Sequence, residues 1–306
     1  MKYRVALTNP KQHPPDDFAR RLLAECGATL EARDCTNRDE VIALCADADV
    51  VLVGAAKVDA QAICSMKHCQ AIVRIGTGYD NIDIEAGVPV ANVPEFCTDE
   101  VADHTMTLLL ALERKLIAGD KLLRAGTWDQ FHLMPARSLR GKTLGLVGFG
   151  KIAQAVARRA EAFGIKVIHF DPLSKSSTDL NELLATVDFV SLHVPLTKKT
   201  RGMVGLAQLQ KMKSSSVLIN CARGEIVVEA DLIRALKDGV IAGAALDVFE
   251  TEPIAAGNPL LTMSNVVLSP HCAAHTVEAL TSLRRQAYEE AARALRGEPL
   301  RNRVNP

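Results

Sequence analysis

The sequence predicts an α/β protein with two doubly wound parallel-sheet domains, and three observations predict it. Strand-like and helix-like patterns alternate from Tyr3 to Val93, and again from Lys142 to Pro270. Residues 142–171, KTLGLVGFGKIAQAVARRAEAFGIKVIHFD, run strand, glycine turn, helix, strand, acid. A chain of 306 residues, 48% of them apolar, suits about two domains with sizeable cores.

In chain order, the first unit offers strands at YRVALTN, ATLEARD, DVVLVGA, QAIVRIG and VPVANV. Helices lie between them. One is DDFARRLLAECG, whose Gly27 suits a helix C-terminus. Thr98 and Asp99 are both good N-caps for a long helical pattern, DEVADHTMTLLLALERKLIAGDKLLRAG. Its leucines require burial, and the helix is expected to cross between domains or between subunits. TWDQFHLMPARSLRG reads as a loop that exposes Trp128 and Phe131. The second unit offers strands at TLGLVG, KVIHFD, FVSLHV, SVLINCA, AGAALDVF and NVVLSP. The last helix, VEALTSLRRQAYEEAARALRG, has apolar residues at i, i+3/i+4 spacing and is expected to cross back to the first unit.

Within residues 142–171, Gly148, Gly150 and Ala153 fill the G-x-G-x-x-G/A positions. Gly148 permits the tight turn, Gly150 lets a pyrophosphate approach the backbone, and Ala153 lets the helix pack on the strand. The new helix aims its free N–H groups at that phosphate. Asp171, 18 residues past Ala153, ends the next strand, where a carboxylate accepts from a ribose diol. Gly145 to Lys151 also fits G-x-x-x-x-G-K, but Ile152 lacks the hydroxyl a phosphate loop needs for Mg²⁺. The acid at 171 suits the free 2′-hydroxyl of NAD and repels a 2′-phosphate, and only Lys175 stands nearby to meet one, so NAD is the expected cofactor.

Composition excludes several classes. The 36 basic and 36 acidic residues cancel, so no net field draws the chain to nucleic acid or an anionic membrane. No run approaches the ~18 apolar residues of a membrane helix, and the N-terminal apolar run is too short for a signal peptide. Eight cysteines without a C-x-x-C pair suit reduced thiols in the cytoplasm.

Arg223, Glu252 and His271 follow three successive strand patterns, 29 and then 19 residues apart. In open α/β sheets, ligands bind outside the carboxyl ends of the strands, so all three belong at the edge where a dinucleotide sits. The trio suits reduction of a 2-keto acid. A guanidinium grips the carboxylate and the adjacent carbonyl. An imidazole supplies the carbonyl proton. A carboxylate fixes the tautomer of that imidazole and favours its protonated form. His271 and His275 also form H-x-x-x-H, but Cys272 replaces the glutamate of a zinc helix and no third ligand is evident, so no metal is expected.

The chain resembles the D-isomer-specific 2-hydroxyacid dehydrogenases through RIGTGYDNID, TDEVADHT, GKTLGLVGFGKIAQAVA, NCARGEIV, AGAALDVFETEP and SPHCAAHT. The resemblance implies a Rossmann NAD domain, residues 99–274, inserted into a flavodoxin-like substrate domain made of residues 1–98 and the returning segment 275–306. It implies a small 2-keto or 2-hydroxy acid as substrate, with Arg223 binding it, His271 as acid/base and Glu252 orienting His271. Amides of the turn Gly76, Thr77, Gly78 and Tyr79 cradle the acid's carboxylate. Further cofactor contacts fall on Thr77, Lys151, Ile152, Val194, Cys221, Ala222, Asp247 and Ala274, with Asp247 accepting from the nicotinamide amide.

Departures narrow the reading. Val53-Gly54-Ala55-Ala56, with only Lys57 nearby, lacks the arginine expected of a phosphoglycerate dehydrogenase. Glu252 stands where formate dehydrogenases of the family carry Gln. TDEVADHT and ALDVFETEP also resemble the C-terminal-binding-protein branch, which gives a second reading, an NADH-responsive corepressor-like scaffold. The group beyond the keto acid must meet residues such as Ala55, Ala56 and Tyr79, with Phe131 or Met134 from a neighbouring subunit. The LLLAL segment and the Trp128 loop predict a homodimer. Cys221 and Cys272 adjoin the catalytic segments, so thiol alkylation is expected to inhibit.

Overall fold

Five parallel strands carry the first unit in a computed structural model, which describes residues 2–129, 131 and 136–306. In chain order they are β1 (Tyr3–Leu7), α1 (Asp17–Glu25), β2 (Ala28–Ala32), α2 (Arg38–Cys45), β3 (Val50–Val53), α3 (Ala60–Cys64), β4 (Ala71–Arg74) and β5 (Val90–Ala91), counting the intervening helices. The sheet order is β2-β1-β3-β4-β5, the flavodoxin-like arrangement. Each helix starts where a side chain satisfies a free amide: Asp16, Asn37 and Asp59 accept from the backbone N–H groups of Ala19, Glu40 and Ala62.

The second unit begins with α4 (Thr98–Glu113) and α5 (Leu116–Arg124). There follow β6 (Thr143–Val147), α6 (Lys151–Ala162), β7 (Lys166–Phe170), α7 (Leu180–Thr186), β8 (Phe189–Leu192), α8 (Leu206–Leu209), β9 (Val217–Asn220), α9 (Glu229–Lys237), β10 (Gly243–Leu246) and β11 (Val266–Leu268). All six strands are parallel, in the order β11-β10-β9-β8-β6-β7, a Rossmann-type sheet. The strand order reverses between β6 and β8, which makes that gap the topological switch point. α10 (Val277–Leu295) then closes the chain. The division is Met1–Cys97 with Thr276–Pro306 against Thr98–His275.

Both sheets are buried on both faces, as parallel sheets must be. Val5, Leu52 and Val73 face a core that includes Leu283, Ala287 and Tyr288 of α10, whereas Val51, Val53 and Ile72 face α2 and α3. α10 therefore joins the first unit. Each fully buried leucine on it contributes roughly 1.5–3 kcal/mol relative to exposure. In the second unit, Leu144, Leu146 and Ile219 pack towards α4 and α6, and Val190, Leu192 and Leu218 towards the other face. Arg159 of α6 bonds Asp103 at 2.6 Å and Asp99 at 2.9 Å, tying α6 to the first turns of α4.

The long helical pattern from Thr98 is not one helix. Lys115 adopts a left-handed conformation (φ 55°) and ends α4. Before the break, Leu108, Leu109 and Leu112 are buried with Glu113, which pairs with Arg137. After it, α5 buries no residue, and Leu116 is 67% exposed. One apolar stripe thus combines two surfaces with different fates. The LLLAL segment fills its own domain's core and so offers little to a second subunit, contrary to the expectation above. The exposed large apolar residues of α5 and the segment after it are Leu116, Ile117, Leu123, Trp128 and Phe131.

Candidate active site

The glycine turn lies between β6 and α6. Gly148 has φ 90°, and a Cβ there would meet the backbone C and O of His193 at 2.8 Å. Both conformation and space demand glycine. Gly150 caps α6, and a Cβ there would meet nothing within 4 Å, so the backbone is open to a phosphate. Lys151 and Ile152 form the first turn of α6, and Ala153 is fully buried against the sheet. Val194 follows β8 on the other side of the switch point, with its Cγ1 3.0 Å from the position of a Gly148 Cβ. Asp171 follows β7. Its carboxylate accepts from Phe149 N and Leu173 N, both at 2.8 Å, and those bonds hold it below the usual carboxylate range. Together they bring a glycine turn, an open helix N-terminus and a carboxylate to one edge of the sheet, and a Cβ at Gly148 would disrupt that turn.

Arg223, Glu252 and His271 lie beyond β9, β10 and β11, three adjacent strands. The buried Asn220 shapes the first loop: its Oδ1 accepts from Ala222 N at 3.0 Å and its Nδ2 donates to Arg223 O at 2.8 Å. Cys221 and Ala222 occupy that loop. The Arg223 side chain donates to Ala222 O at 2.8 Å. Gly224 comes next, and a Cβ there would lie 1.9 Å from the backbone carbon of Phe249. This contact presses the Arg223 loop against the segment leading to Glu252.

His271 Nδ1 and Glu252 Oε2 are 2.7 Å apart. A carboxylate only accepts, so Nδ1 carries the hydrogen and Nε2 is the ring nitrogen that does not face Glu252. Glu252 Oε1 accepts from Phe249 N at 3.0 Å, which holds the carboxylate at both oxygens. Burial works against the charged form of Glu252. The bonds from His271 and Phe249, with the charges of His271 and Arg223, outweigh it and lower its pKa. His271 itself has φ 51°, rare for a residue with a side chain.

Asp247, just past β10, is fully buried and accepts several hydrogen bonds. Ser269 Oγ donates to its Oδ1 at 2.6 Å and Cys272 N at 3.0 Å, while Ala273 N donates to Oδ2 at 2.9 Å. His104 Nε2 of α4 lies 3.4 Å from Oδ1 and 2.8 Å from Ser269 Oγ. Burial alone would raise the pKa of Asp247; the donors from His104, Ser269, Cys272 and Ala273 reverse that and bring it down to about 2. The folded value is below the unfolded one. Asp247 thus stabilises the fold above pH ~4, and that contribution is lost as pH falls through ~2, roughly 2 kcal/mol in all. Unfolding free energies from urea titrations should therefore drop further between pH 5 and 2.5 for the wild type than for Asp247→Asn, by about 1.5 kcal/mol, the larger part of that contribution.

The ligand atoms of His104, Asp247 and Cys272 lie within 4.8 Å of one another. The lone pairs of Asp247 Oδ1 are already committed to Ser269 and Cys272, so the cluster reads as a hydrogen-bond hub. His271 and His275 share no helix; His275 N bonds Cys272 O within a loop. Burial pushes the Cys221 thiol up to about 12 and also raises Cys272. A raised thiol pKa leaves less thiolate at neutral pH, so both cysteines should react more slowly than a free thiol. Ala274 follows Ala273 in the same loop.

In the first unit, the turn Gly76–Tyr79 follows β4. Gly76 has φ 149°, Thr77 Oγ1 donates to Val93 O at 3.2 Å, and Asn92 Nδ2 donates to Thr77 O at 2.6 Å. A Cβ on Gly76 would meet Arg74 Nη1 at 2.6 Å, so a guanidinium lies directly against this turn. Gly78 sits at its middle. Ala55 and Ala56 lie in a loop pinned by Ala56 N donating to Asn9 Oδ1 at 3.0 Å. Of the residues expected to meet the substrate side chain, Met134 lies outside the described residues.

The sequence reading missed His104, Asn220, Gly224 and Ser269. Asn220, at a strand end before a loop, carried a local Asx-turn signal. The others depend on approaches between distant segments.

The family model described as "D-isomer specific 2-hydroxyacid dehydrogenase, NAD binding domain" matches residues 106–273. The D-3-phosphoglycerate dehydrogenase of Methanocaldococcus jannaschii is 40% identical over 307 residues, 95% of this chain and 58% of that protein. The glyoxylate reductase of Thermofilum pendens is 36% identical over 313 residues, 93% of this chain and 92% of that protein. The D-lactate dehydrogenase of Aquifex aeolicus, complexed with NAD and lactic acid, superposes with a TM-score of 0.88 at 27% identity, covering 99% of both chains. The chain belongs to the D-isomer-specific 2-hydroxyacid dehydrogenase family, and the glycine turn at Gly148 lies in the part that matches its NAD-binding domain. It spans 58–59% of the length of the phosphoglycerate dehydrogenases it matches from Methanocaldococcus jannaschii and Archaeoglobus fulgidus.

Proposed function

We propose that the protein is an NAD-dependent D-2-hydroxyacid dehydrogenase that interconverts a small 2-keto acid and the corresponding 2-hydroxy acid. The hydrogen bond between His271 and Glu252, on a strand edge that also carries Arg223, supports this reading most directly. The relatives reported above are reductases and dehydrogenases, which favours the enzyme over the corepressor-like scaffold.

When bound, the nicotinamide supplies hydride to the carbonyl carbon. Arg223 grips the keto acid and draws electron density towards the carbonyl oxygen. His271 gives its Nε2 proton to that oxygen as it gains charge, so keto acid, hydride and proton yield the hydroxy acid. Glu252 stabilises the imidazolium beforehand and keeps the hydrogen on Nδ1 afterwards. In the reverse direction the neutral Nε2 takes the hydroxyl proton. Amides of the Gly76–Tyr79 turn receive the substrate carboxylate. Asp171 receives the ribose hydroxyls, and Asp247 the nicotinamide amide.

The test is NADH oxidation with glyoxylate, hydroxypyruvate, pyruvate and bulkier keto acids; no turnover with any of them defeats the proposal. Arg223→Lys should lower kcat/KM by about 10- to 100-fold, because an ammonium loses one charge-assisted bond of the fork. Steady-state kinetics with the best substrate measures this, and an unchanged kcat/KM removes Arg223 from the mechanism.

The homodimer rests on the apolar face of α5 and on Trp128, which is 85% exposed. A monomer mass by light scattering at micromolar concentration contradicts it. The eight free cysteines support a cytoplasmic location, which cell fractionation checks. No helix among the described residues is long and apolar enough to cross a membrane.

A further inference from the structure

His104 is the one member of the Asp247 hub that comes from another element and takes no part in the chemistry above. Counting protons fixes its role. Asp247 is a carboxylate, so the Ser269 hydroxyl hydrogen points at Oδ1, 2.6 Å away. Ser269 Oγ must then accept from His104 at 2.8 Å, and His104 Nε2 carries a hydrogen. With Ser269 and Cys272 N on Oδ1, the remaining lone pair of Asp247 lies on Oδ2, where Ala273 N is the other partner. The hub also reaches His271 through the backbone: His271 N donates to Asp247 O at 2.7 Å. Ser269 and Cys272, on either side of His271, are both anchored to Asp247 Oδ1. This two-sided anchoring maintains the left-handed backbone of His271.

We propose that His104 is a positioning residue. Acting through Ser269, it fixes which way the Asp247 carboxylate faces, and so sets how strictly the site distinguishes a nicotinamide carboxamide from a ring substituent without an N–H. The inference rests on the dehydrogenase reading. Its test, however, needs no turnover.

Calorimetry would compare the binding of NAD⁺ with that of its 3-acetylpyridine analogue, which replaces the carboxamide NH₂ by a methyl group. The wild type should prefer NAD⁺. His104→Leu and Ser269→Ala should each reduce that preference by about 3- to 10-fold, the worth of one oriented hydrogen bond. His104→Leu/Ser269→Ala should reduce it no further than either alone, because both act on one chain of bonds. His104→Gln returns an N–H donor and should restore most of the preference. An affinity loss shared equally by both nucleotides, or two single effects that multiply in the double variant, would overturn the proposal. Ser269→Ala removes one oxygen only, so it decides the matter even if His104→Leu folds poorly. Absence of NAD⁺ binding to the wild type would overturn this proposal and the dehydrogenase reading together. Binding with the expected ratios but no turnover of any keto acid would overturn the dehydrogenase reading alone.

Discussion

His271→Ala should lower kcat by about 10²- to 10⁴-fold, the usual worth of a general acid/base, with little change in stability. The imidazole is 49% exposed, so its removal leaves no buried cavity. Alanine at φ 51° carries much the same backbone cost as histidine, because both have a Cβ. The loss should therefore fall on kcat, while KM for the keto acid moves little, because the proposed proton transfer belongs to the chemical step. Stopped-flow reduction at saturating NADH, beside a urea titration, separates the two effects. A variant that turns over like the wild type removes the assigned acid and leaves Arg223 without a catalytic partner.

The state of Glu252 sets the pH range over which this pair works. Burial opposes its charge, but the donors around it win and keep its pKa below the ordinary carboxylate range. The charged form therefore persists as pH falls through the range where an exposed glutamate would protonate. Any loss of rate above that range belongs to another group.

Much of this was legible in the sequence because it is local. The strand read at KVIHFD includes β7, Lys166–Phe170, and places Asp171 at its end. The spacing of Gly148, Gly150 and Ala153 encodes a turn, a cap and a helix contact within six residues. Arg223, Glu252 and His271 were found because each follows a strand pattern, and adjacent parallel strands bring their carboxyl ends to one edge. The features that were missed are those in which one residue depends on a distant one. His104 and Ser269 are 165 positions apart, and nothing near either announces their hydrogen bond. The break at Lys115 was hidden because leucines before it and after it share one helical period, though only the first group is buried. His271 gives no sign in the sequence of its positive φ, since the residues on either side of it are held by Asp247, more than twenty positions away.

Gly224 is the sharpest of these cases, and Gly224→Ala should destabilise the second unit by roughly 3 kcal/mol or more. Its backbone is not in a glycine-only conformation, so flexibility is not the reason. The reason is space. A Cβ would meet Phe249 C at 1.9 Å, Phe249 O at 2.0 Å and Glu250 N at 2.5 Å. All three are backbone atoms, which cannot swing aside as a side chain can. Relief requires the 249–250 segment to move by more than about 1 Å, since non-bonded carbons rest at ~3.5–4.0 Å. Phe249 N donates to Glu252 Oε1, so that movement pulls on the carboxylate behind His271. On the other side, Gly224 adjoins Arg223, whose carbonyl is held by Asn220. A single methyl thus strains both halves of the proposed catalytic set, and kcat/KM should fall along with stability. Gly257→Ala is the control, because a Cβ there meets nothing within 4 Å. Chemical denaturation and kinetics on the two variants decide the point. If Gly224→Ala matches Gly257→Ala in both, the Arg223 loop does not rest against the Glu252 segment, and the geometry that links them is wrong.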